Sequence, residues 1–247
     1  MRIILASLAA LTLAACQTTT PDNAMPPPEP SVAFPHGEMT PLPPGMQIDG
    51  RLFLAAPPAP GSAADRADLA ISLGPWTDER TVQAREDNQI DAFAAFDNVL
   101  GADFTAARFP ATNTLLRRVT AAAGLASQPP KDYYQKDRPF VRFSDHPTCI
   151  TPEAYLRTSG SYPSGHASIG FAWGLTLAAA LPARSNALIE RGIDFGQSRV
   201  VCGVHWQSDV DAGQLLGAAA FAQLQSDAAF QSELAAARAE LAGAYPN

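Results

Sequence analysis

Basic side chains recur at helical spacing in the segment that runs from Lys131 to Pro139. Lys131 and Arg138 are seven residues apart, close to two helical turns, so the pattern predicts that both point the same way. Pro139 disfavours helical backbone at the preceding residue and predicts that the helix ends at Arg138. An ammonium and a guanidinium aimed at one spot would bind an anion; two solvated surface cations are the alternative. The chain has only two lysines, Lys131 and Lys136, which favours a need for an ammonium here.

A second segment, Tyr162-Pro163-Ser164-Gly165-His166, precedes a long uncharged run. Proline, serine and glycine are typical of helix starts, so the run predicts a helix whose free N–H groups and positive dipole end face an anion. Ser164 would add a hydroxyl donor, Gly165 would let a ligand approach the backbone, and His166 would lie at the mouth of the site. The alternative is an ordinary capped helix with a structural histidine.

The third segment runs from Ser198 to Asp209 and holds an arginine, a histidine and a carboxylate. His205 and Asp209 are four residues apart, so a helix that begins near His205 would bring the carboxylate to one imidazole nitrogen. That contact would fix the tautomer and leave the other nitrogen as a nucleophile or base. Gly203 predicts a chain break that lets Arg199 and His205 turn inward from different elements. Here too, a structural histidine in a capped helix is the alternative.

Together the segments give three motifs in a fixed order: Lys-x6-Arg-Pro, Pro-Ser-Gly-His and Ser-Arg-x5-His-x3-Asp. This set resembles the type 2 phosphatidic acid phosphatase superfamily, which includes vanadium haloperoxidases. Within it, residues 160–170 and 196–213 closely resemble the bacterial class A non-specific acid phosphatases. The resemblance extends from about Leu69 to the C-terminus. It implies a single all-α helical-bundle domain that hydrolyses phosphomonoesters with broad specificity through a phosphohistidine, without a metal or cofactor.

The resemblance also implies a role for each motif residue. His205 would attack phosphorus, Asp209 would orient His205, and His166 would act as general acid on the leaving alcohol and then as base toward water. The phosphate oxygens would be bound by Lys131, Arg138, Ser164, Gly165 and Arg199. A metal site built from His166, His205 and Asp209 is conceivable on residue types alone. Three cations aimed at the same place would repel a metal ion, so we expect none.

The elements that must position these segments are predicted to be helices, since amphipathic alanine-rich stretches dominate and alternating β-branched runs are scarce. The predicted helices are 65–73, 77–98, 113–123, 130–137, 164–181, 185–202, 208–225 and 228–242. The uncharged run 167–181 is too short to span a membrane and is followed by Pro182, so it predicts a buried core helix. The catalytic domain is expected to occupy residues 65–247.

The N-terminus reads as an export signal over residues 1–15, followed by a tether over residues 16–64. Leu13-Ala14-Ala15-Cys16 resembles the lipobox of bacterial lipoproteins, which implies cleavage before Cys16 and lipid attachment to its sulfur. An ordinary secretory signal is the alternative. Twelve of the 22 prolines fall between Pro21 and Pro60, and proline-rich chain favours an extended spacer. We therefore expect a periplasmic protein, lipid-anchored to the outer membrane of a Gram-negative bacterium, whereas known class A members are mostly soluble.

Charge and cysteine usage limit the partners. A formal net charge of −7 argues against nucleic acid as a partner. The expected partners are small phosphomonoesters (nucleotides, sugar phosphates and aryl phosphates), the membrane through the lipid anchor only, and a second copy if the protein is a homo-oligomer. Cys149 and Cys202 can pair in an oxidising periplasm or remain two buried thiols.

Other functions are open at this point. A vanadium haloperoxidase would use the same pocket for vanadate, and a non-catalytic envelope lipoprotein would bind anions without turnover. A membrane-embedded lipid phosphatase would need transmembrane helices, which the mature chain lacks. A Ser-His-Asp hydrolase built on Ser164 would need a Gly-x-Ser-x-Gly elbow, which is absent around Ser164.

Overall fold

Helices make up all the regular structure in the computed structural model, which describes residues 47–246. No β-strand occurs in this range, which confirms the expected all-α class. The helices are α1 (Ala63–Ser72), α2 (Asp78–Glu86), α3 (Ala92–Leu100), α4 (Pro110–Ala126), α5 (Gln128–Tyr134), α6 (Pro139–Arg142), α7 (Gly165–Ala180), α8 (Ser185–Val201), α9 (Gln207–Leu224) and α10 (Ala228–Ala244). Short 3-10 turns lie at Gly50–Leu52, Ala154–Arg157 and Pro182–Arg184. None of the helices within 47–246 is both long enough and apolar enough to cross a membrane.

The uncharged run predicted as a core helix forms α7, which packs against α4, α8 and α9. Glycines allow the close approach of its neighbours. A methyl group at Gly192 on α8 would lie 2.7 Å from the carbonyl oxygen of Gly170 on α7. A methyl group at Gly213 on α9 would overlap the Ser164 carbonyl oxygen. Because the site residues lie at the start of α7, in α9 and at the end of α8, this tight packing fixes their mutual position.

The C-terminal helix α10 closes the bundle against α4. α4 begins at Pro110 and has no side-chain cap of its own. Instead, the Glu240 carboxylate accepts hydrogen bonds from the backbone N–H groups of Ala111 (3.0 Å) and Thr112 (2.8 Å). A carboxylate at a helix N-terminus also interacts favourably with the helix dipole. The cap therefore ties the last helix to the core that holds Trp173.

The single helix predicted over 77–98 is wrong, because the chain forms two helices, α2 and α3, with a turn between them. The Asp91 carboxylate caps α3 by accepting from the N–H of Phe93 (2.9 Å) and of Ala94 (3.3 Å). Aspartate before an apolar run is a helix-start signal, and here it interrupts a continuous helical pattern. The turn at residues 87–91 contributes directly to the site described below.

Folded structure begins before residue 64, the expected end of the tether. Gly50 is buried against Leu54, Pro130 and Leu216. The Tyr162 hydroxyl donates a hydrogen bond to the carbonyl oxygen of Ala55 at 2.5 Å. Residues 47–62 therefore form an arm that packs on the helical domain. The predicted signal peptide, Cys16 and the tether up to residue 46 lie outside the described residues.

Candidate active site

Four segments bring basic side chains to the imidazole of His205. Lys131 lies in α5, Arg138 immediately before α6, Arg199 in the last turn of α8, and His166 in the first turn of α7. His205 is buried, with 3% of its surface exposed. Burial lowers the pKa of His205 well below its ordinary value, and the surrounding Arg138, Lys131, Arg199 and His166 lower it further. The structure thus brings together the basic residues of all three motifs.

Contacts to both ring nitrogens define the tautomer of His205. Its Nε2 lies 2.8 Å from Nη1 of Arg138. A guanidinium can only donate, so Nε2 is the acceptor and carries a lone pair. The proton therefore lies on Nδ1, which donates to Oδ2 of Asp209 at 3.3 Å. This is the tautomer in which Nε2 can act as a nucleophile.

Asp209 is fully buried, and hydrogen-bond donors surround its carboxylate. Besides His205, Oδ2 accepts from Ser161 Oγ at 2.5 Å and from the Trp206 N–H at 2.9 Å. Oδ1 accepts from the Lys136 ammonium at 2.8 Å. These donors hold the carboxylate plane against the imidazole. Sequence reasoning assigned no role to Ser161 or Lys136, although the clustering of both lysines was the available signal for Lys136.

Three buried cations share the site without acidic partners. Lys131 Nζ donates to the Gly160 carbonyl at 2.7 Å, and Arg138 Nη1 donates to the Val204 carbonyl at 3.0 Å. Arg199 Nη1 donates to a neutral amide oxygen, and its Nε is buried without a partner. Within residues 47–246 none of the three forms an ion pair with a carboxylate. Buried charges need compensation, so the cluster is built to receive an anion.

Burial also changes the acid–base properties of these cations. Burial, with a contribution from the nearby Arg199, lowers the pKa of Arg138 to about 10. Burial likewise lowers the pKa of Arg199 to about 10. Burial and the charge of Arg138 lower the pKa of Lys131 well below its ordinary value. A bound anion would reverse these effects, because it stabilises the charged form of each group.

His166 is held by stacking and by one hydrogen bond. Its ring lies parallel to the Phe195 ring with 4.5 Å between centroids. Nε2 lies 2.5 Å from the Asp87 carbonyl oxygen, which can only accept, so Nε2 carries a proton. This leaves Nδ1 as the nitrogen that can exchange a proton. Burial, followed by the charge of Arg199, lowers the pKa of His166 well below its ordinary value.

The turn between α2 and α3 positions both His166 and Arg199. The Asp87 carbonyl holds His166, and the next residue, Asn88, accepts from Arg199 Nη1 through its Oδ1 at 2.8 Å. The Asp87 carboxylate is itself fixed by an ion pair with Arg191 and a 2.6 Å hydrogen bond from Ser198 Oγ. Sequence reasoning missed Asp87 and Asn88 because it placed them inside a continuous helix. The helix-start signal at 91 was the clue that could have exposed the turn.

The first motif reaches the site by a different route from the one predicted. Lys131 and Arg138 do not share a helix: α5 ends at Tyr134, and Gln135 adopts a left-handed conformation (φ 45°). Arg138 is extended and lies immediately before α6. The two side chains nevertheless face the same imidazole, because the loop at 135–137 turns the chain back. The predicted convergence is observed, and the predicted single helix is wrong.

The Pro-Ser-Gly-His segment forms the N-terminus of α7. Ser164 Oγ caps the helix by accepting from the Ala167 N–H at 3.3 Å, and the Ser164 N–H donates to the Asp209 carbonyl at 2.8 Å. A methyl group at Gly165 would lie 2.8 Å from Ser127 Oγ, so the chain is tightly packed there. The other first-turn N–H groups, including that of Gly165, have no acceptor within the helix and can face an anion.

A disulfide links two loops beside the site. Cys149 and Cys202 are bonded, with their Cα atoms 4.5 Å apart. Cys202 follows α8 directly and precedes Gly203, whose φ of +66° makes the turn that carries the chain from Arg199 to His205. The bond therefore connects the segment before the second motif to the turn within the third.

The domain is all-helical, and its site holds a buried imidazole–carboxylate pair beside three cations that have no acidic partner. These features define a protein suited to bind a phosphate-like anion. Comparison with known proteins agrees. Residues 114–227 match the PAP2 superfamily. A non-specific acid phosphatase of Salmonella typhimurium is 40% identical over 210 residues, covering 80% of this chain and 82% of that protein. A non-specific acid phosphatase of Providencia stuartii is 38% identical over 203 residues, covering 79% and 82%.

A more distant relative, an acid phosphatase of Zymomonas mobilis, is 32% identical over 200 residues, covering 78% of this chain and 75% of that protein. The chain belongs to the PAP2 superfamily and, within it, to the non-specific acid phosphatases. This confirms the resemblance drawn from the three motifs and the expectation that the protein is a phosphatase.

Proposed function

We propose that the protein hydrolyses small phosphomonoesters through a phosphohistidine at His205 and without a metal ion. The observation that carries this proposal is the direction of the His205 ring. Nδ1 is bound to Asp209, and the Nε2 lone pair faces the cation cluster where a phosphate would bind. When a phosphate oxygen replaces Nε2 as the acceptor of the Arg138 hydrogen bond, the Nε2 lone pair becomes free to attack phosphorus.

Substrate binding is assigned to the cation cluster and the start of α7. The three non-bridging oxygens of the phosphate would contact Lys131, Arg138 and Arg199, together with the Ser164 hydroxyl and the Gly165 N–H. Phosphoryl transfer depends mainly on positioning and on neutralising the charge of these oxygens. Many phosphatases use two divalent metals for that task. Three fixed cations place comparable positive charge around the phosphate, so no metal is assigned to the mechanism.

The first step transfers the phosphoryl group to the protein. Nε2 of His205 forms the bond to phosphorus while the ester P–O bond breaks, and the leaving oxygen takes a proton from His166. The imidazole ring becomes positively charged, and the Asp209 carboxylate stabilises that charge. In the second step neutral His166 takes a proton from water, the water oxygen bonds to phosphorus, and the P–N bond breaks. Inorganic phosphate leaves, and both histidines return to their starting states.

The lowered histidine pKa values fit activity at acidic pH. Because burial and the adjacent Arg138 hold the pKa of His205 low, Nε2 keeps its lone pair in acid. The negative charge of the bound substrate would raise the pKa of His166 and so favour the protonated general acid. Nucleophile and acid could therefore coexist below neutral pH.

The same proposal covers location and substrate range. Broad specificity toward nucleotides, sugar phosphates and aryl phosphates suits a site that binds only the phosphate group.

A lipid on Cys16 and the proline-rich tether would hold the domain in the periplasm, next to the outer membrane. Labelling of cells with a radioactive or clickable fatty acid, compared between the natural chain and Cys16→Ala, tests the anchor. Lack of Cys16-dependent label would reject it.

The decisive experiment follows p-nitrophenyl phosphate turnover by the full chain. His205→Ala should abolish turnover, whereas His36→Ala, outside the three motifs, serves as the matched control. His166→Ala should retain an initial burst, because p-nitrophenolate needs no proton to leave, and should accumulate phosphate on the protein that is stable in alkali and lost in acid. Activity should survive a chelator. Full turnover by His205→Ala would overturn the proposal.

Vanadate separates this function from the haloperoxidase alternative. A phosphatase should be inhibited when vanadate occupies the cation cluster. Vanadate-dependent oxidation of bromide by peroxide, with no phosphate release beforehand, would instead assign the haloperoxidase function.

A further inference from the structure

The Lys136 ammonium is enclosed beside the catalytic pair, although it occupies one of the unspecified positions of the Lys-x6-Arg-Pro motif. Only 11% of its side chain is exposed. Nζ lies 2.8 Å from Oδ1 of Asp209, 2.9 Å from Ser208 Oγ and 3.3 Å from Oδ2 of Asp68. The contact with Asp209 indicates the role of this ammonium, because Asp209 is the carboxylate that holds the imidazole proposed as the nucleophile. Ser208 and Asp68 hold the ammonium in place.

Asp68 on α1 balances the charge of this ammonium. It is 5% exposed, and it accepts from the Ser208 N–H at 2.9 Å and from Ser208 Oγ at 2.5 Å. The row Asp68, Lys136 and Asp209 carries two negative charges and one positive charge. One net negative charge therefore remains, which matches the single positive charge that the imidazole gains when it is phosphorylated. Without Asp68, the ammonium would cancel the charge of Asp209.

Lys136 also fixes Asp209 through its main chain. Its carbonyl oxygen accepts from the Ser161 N–H at 2.8 Å, and Ser161 Oγ donates to Oδ2 of Asp209. The side chain thus holds Oδ1, while the main chain, through Ser161, holds Oδ2. The ammonium lies 5.6 Å from the centre of the Trp206 ring and 5.9 Å from that of Tyr162, so aromatic faces restrict it further.

We infer that Lys136 is a positioning residue that keeps Asp209 Oδ2 aligned with His205 Nδ1, with Asp68 as its counter-ion. This inference rests on the proposed function of His205. It assigns Lys136 no contact with substrate. Loss of the ammonium should therefore affect the transfer steps and leave phosphate binding by the cation cluster intact.

The test compares Lys136→Met with the natural chain. A nucleophile misplaced by about 1 Å can cost about 10²-fold in rate, so kcat for p-nitrophenyl phosphate should fall by about that factor. The inhibition constant of inorganic phosphate should stay unchanged, because Lys131, Arg138 and Arg199 remain. Lys136→Arg should restore much of kcat. A merely structural role would lower thermal stability without this split between kcat and phosphate affinity.

Arg142→Met is the matched control. Arg142 also joins its segment to α1 through a buried aspartate, Asp65, at 2.5 Å, and it also lies over the Trp206 ring at 5.8 Å. It does not touch Asp209, so its loss should leave kcat near that of the natural chain. An equal loss of kcat in Arg142→Met would show that α1 attachment, rather than the ammonium, is what matters, and the inference would be overturned.

Asp68→Asn tests the charge balance without emptying the ammonium site. It should lower kcat and leave phosphate inhibition unchanged, even if Lys136→Met fails to fold. Normal kcat in a folded Lys136→Met or in Asp68→Asn would overturn the inference. His205→Ala, measured in parallel, separates this failure from a failure of the proposed function. If His205→Ala is inactive while Lys136→Met is fully active, the positioning role of Lys136 is rejected and the proposed function of His205 stands.

Discussion

Asn88 offers a sharp test of how the turn between α2 and α3 serves catalysis. Its Oδ1 accepts from Arg199 Nη1 at 2.8 Å, and this is the only hydrogen bond of the Arg199 side chain within residues 47–246. Asn88→Ala removes that partner and leaves the guanidinium free to rotate away from the phosphate. Arg199 then loses its orientation without losing its charge.

The magnitude follows from the kind of hydrogen bond. A hydrogen bond to a charged group contributes about 1.5–3 kcal/mol. Each 1.36 kcal/mol corresponds to about a tenfold change in rate. Asn88→Ala should therefore lower kcat/KM by about 10- to 10²-fold, less than the 10²–10³-fold expected when a charge that contacts the phosphate is removed outright.

Steady-state hydrolysis of p-nitrophenyl phosphate by four proteins gives the required cycle: the natural chain, Asn88→Ala, Arg199→Gln and the double variant. Because Asn88 acts through Arg199, the double variant should be no slower than Arg199→Gln. Asn98→Ala, an exposed asparagine in α3, is the matched control and should be unaffected. Additive losses in the double variant would refute the reasoning, as would an Asn88→Ala protein with normal kcat/KM.

Four further outcomes are expected. Burial and the charge of Arg199 hold the pKa of His166 low, so titration by NMR should show a neutral ring in acid. Inorganic phosphate should raise that pKa, and an ordinary pKa in the free protein would contradict the prediction. Because the unfolded chain protonates His166 and His205 at about pH 6.5 and the folded chain does not, the free energy of unfolding should fall as pH drops below that value; urea unfolding across pH checks the sign. Glu240→Ala should lower the free energy of unfolding in urea by about 0.5–2 kcal/mol and leave kcat unchanged. Gly213→Ala should lower the same free energy by about 1–3 kcal/mol, because the added methyl group forces α9 away from α7.

The contact within the third motif could be predicted from the sequence, because it depends on residue type and local spacing. His205 and Asp209 lie four residues apart at the start of a helix, so their contact is local and needs no tertiary information. The α7 helix was equally predictable, since an uncharged run after Pro-Ser-Gly has one favourable state in a folded core. The convergence of Lys131 with Arg138 was predicted for the wrong reason, because a loop rather than a shared helix aims them.

The supporting contacts could not be predicted, because they join residues far apart in the chain. Asn88 and Arg199 are separated by 111 residues, and Lys136 and Asp209 by 73. Polar residues such as Asn88 and Lys136 lie on the surface by default, and only the path of the surrounding helices partly buries them. No local pattern indicates which carboxylate a lysine will meet.

The sequence by itself determined the family and the all-helical class and indicated the residues proposed to react, because these depend on local order and composition. Tertiary structure alone decided which nitrogen of His205 faces the cations, which turn holds His166 and Arg199, and which ammonium steadies Asp209. Those choices depend on distances of about 3 Å between separate helices. Such distances are set by how tightly glycine-bearing helices pack around α7.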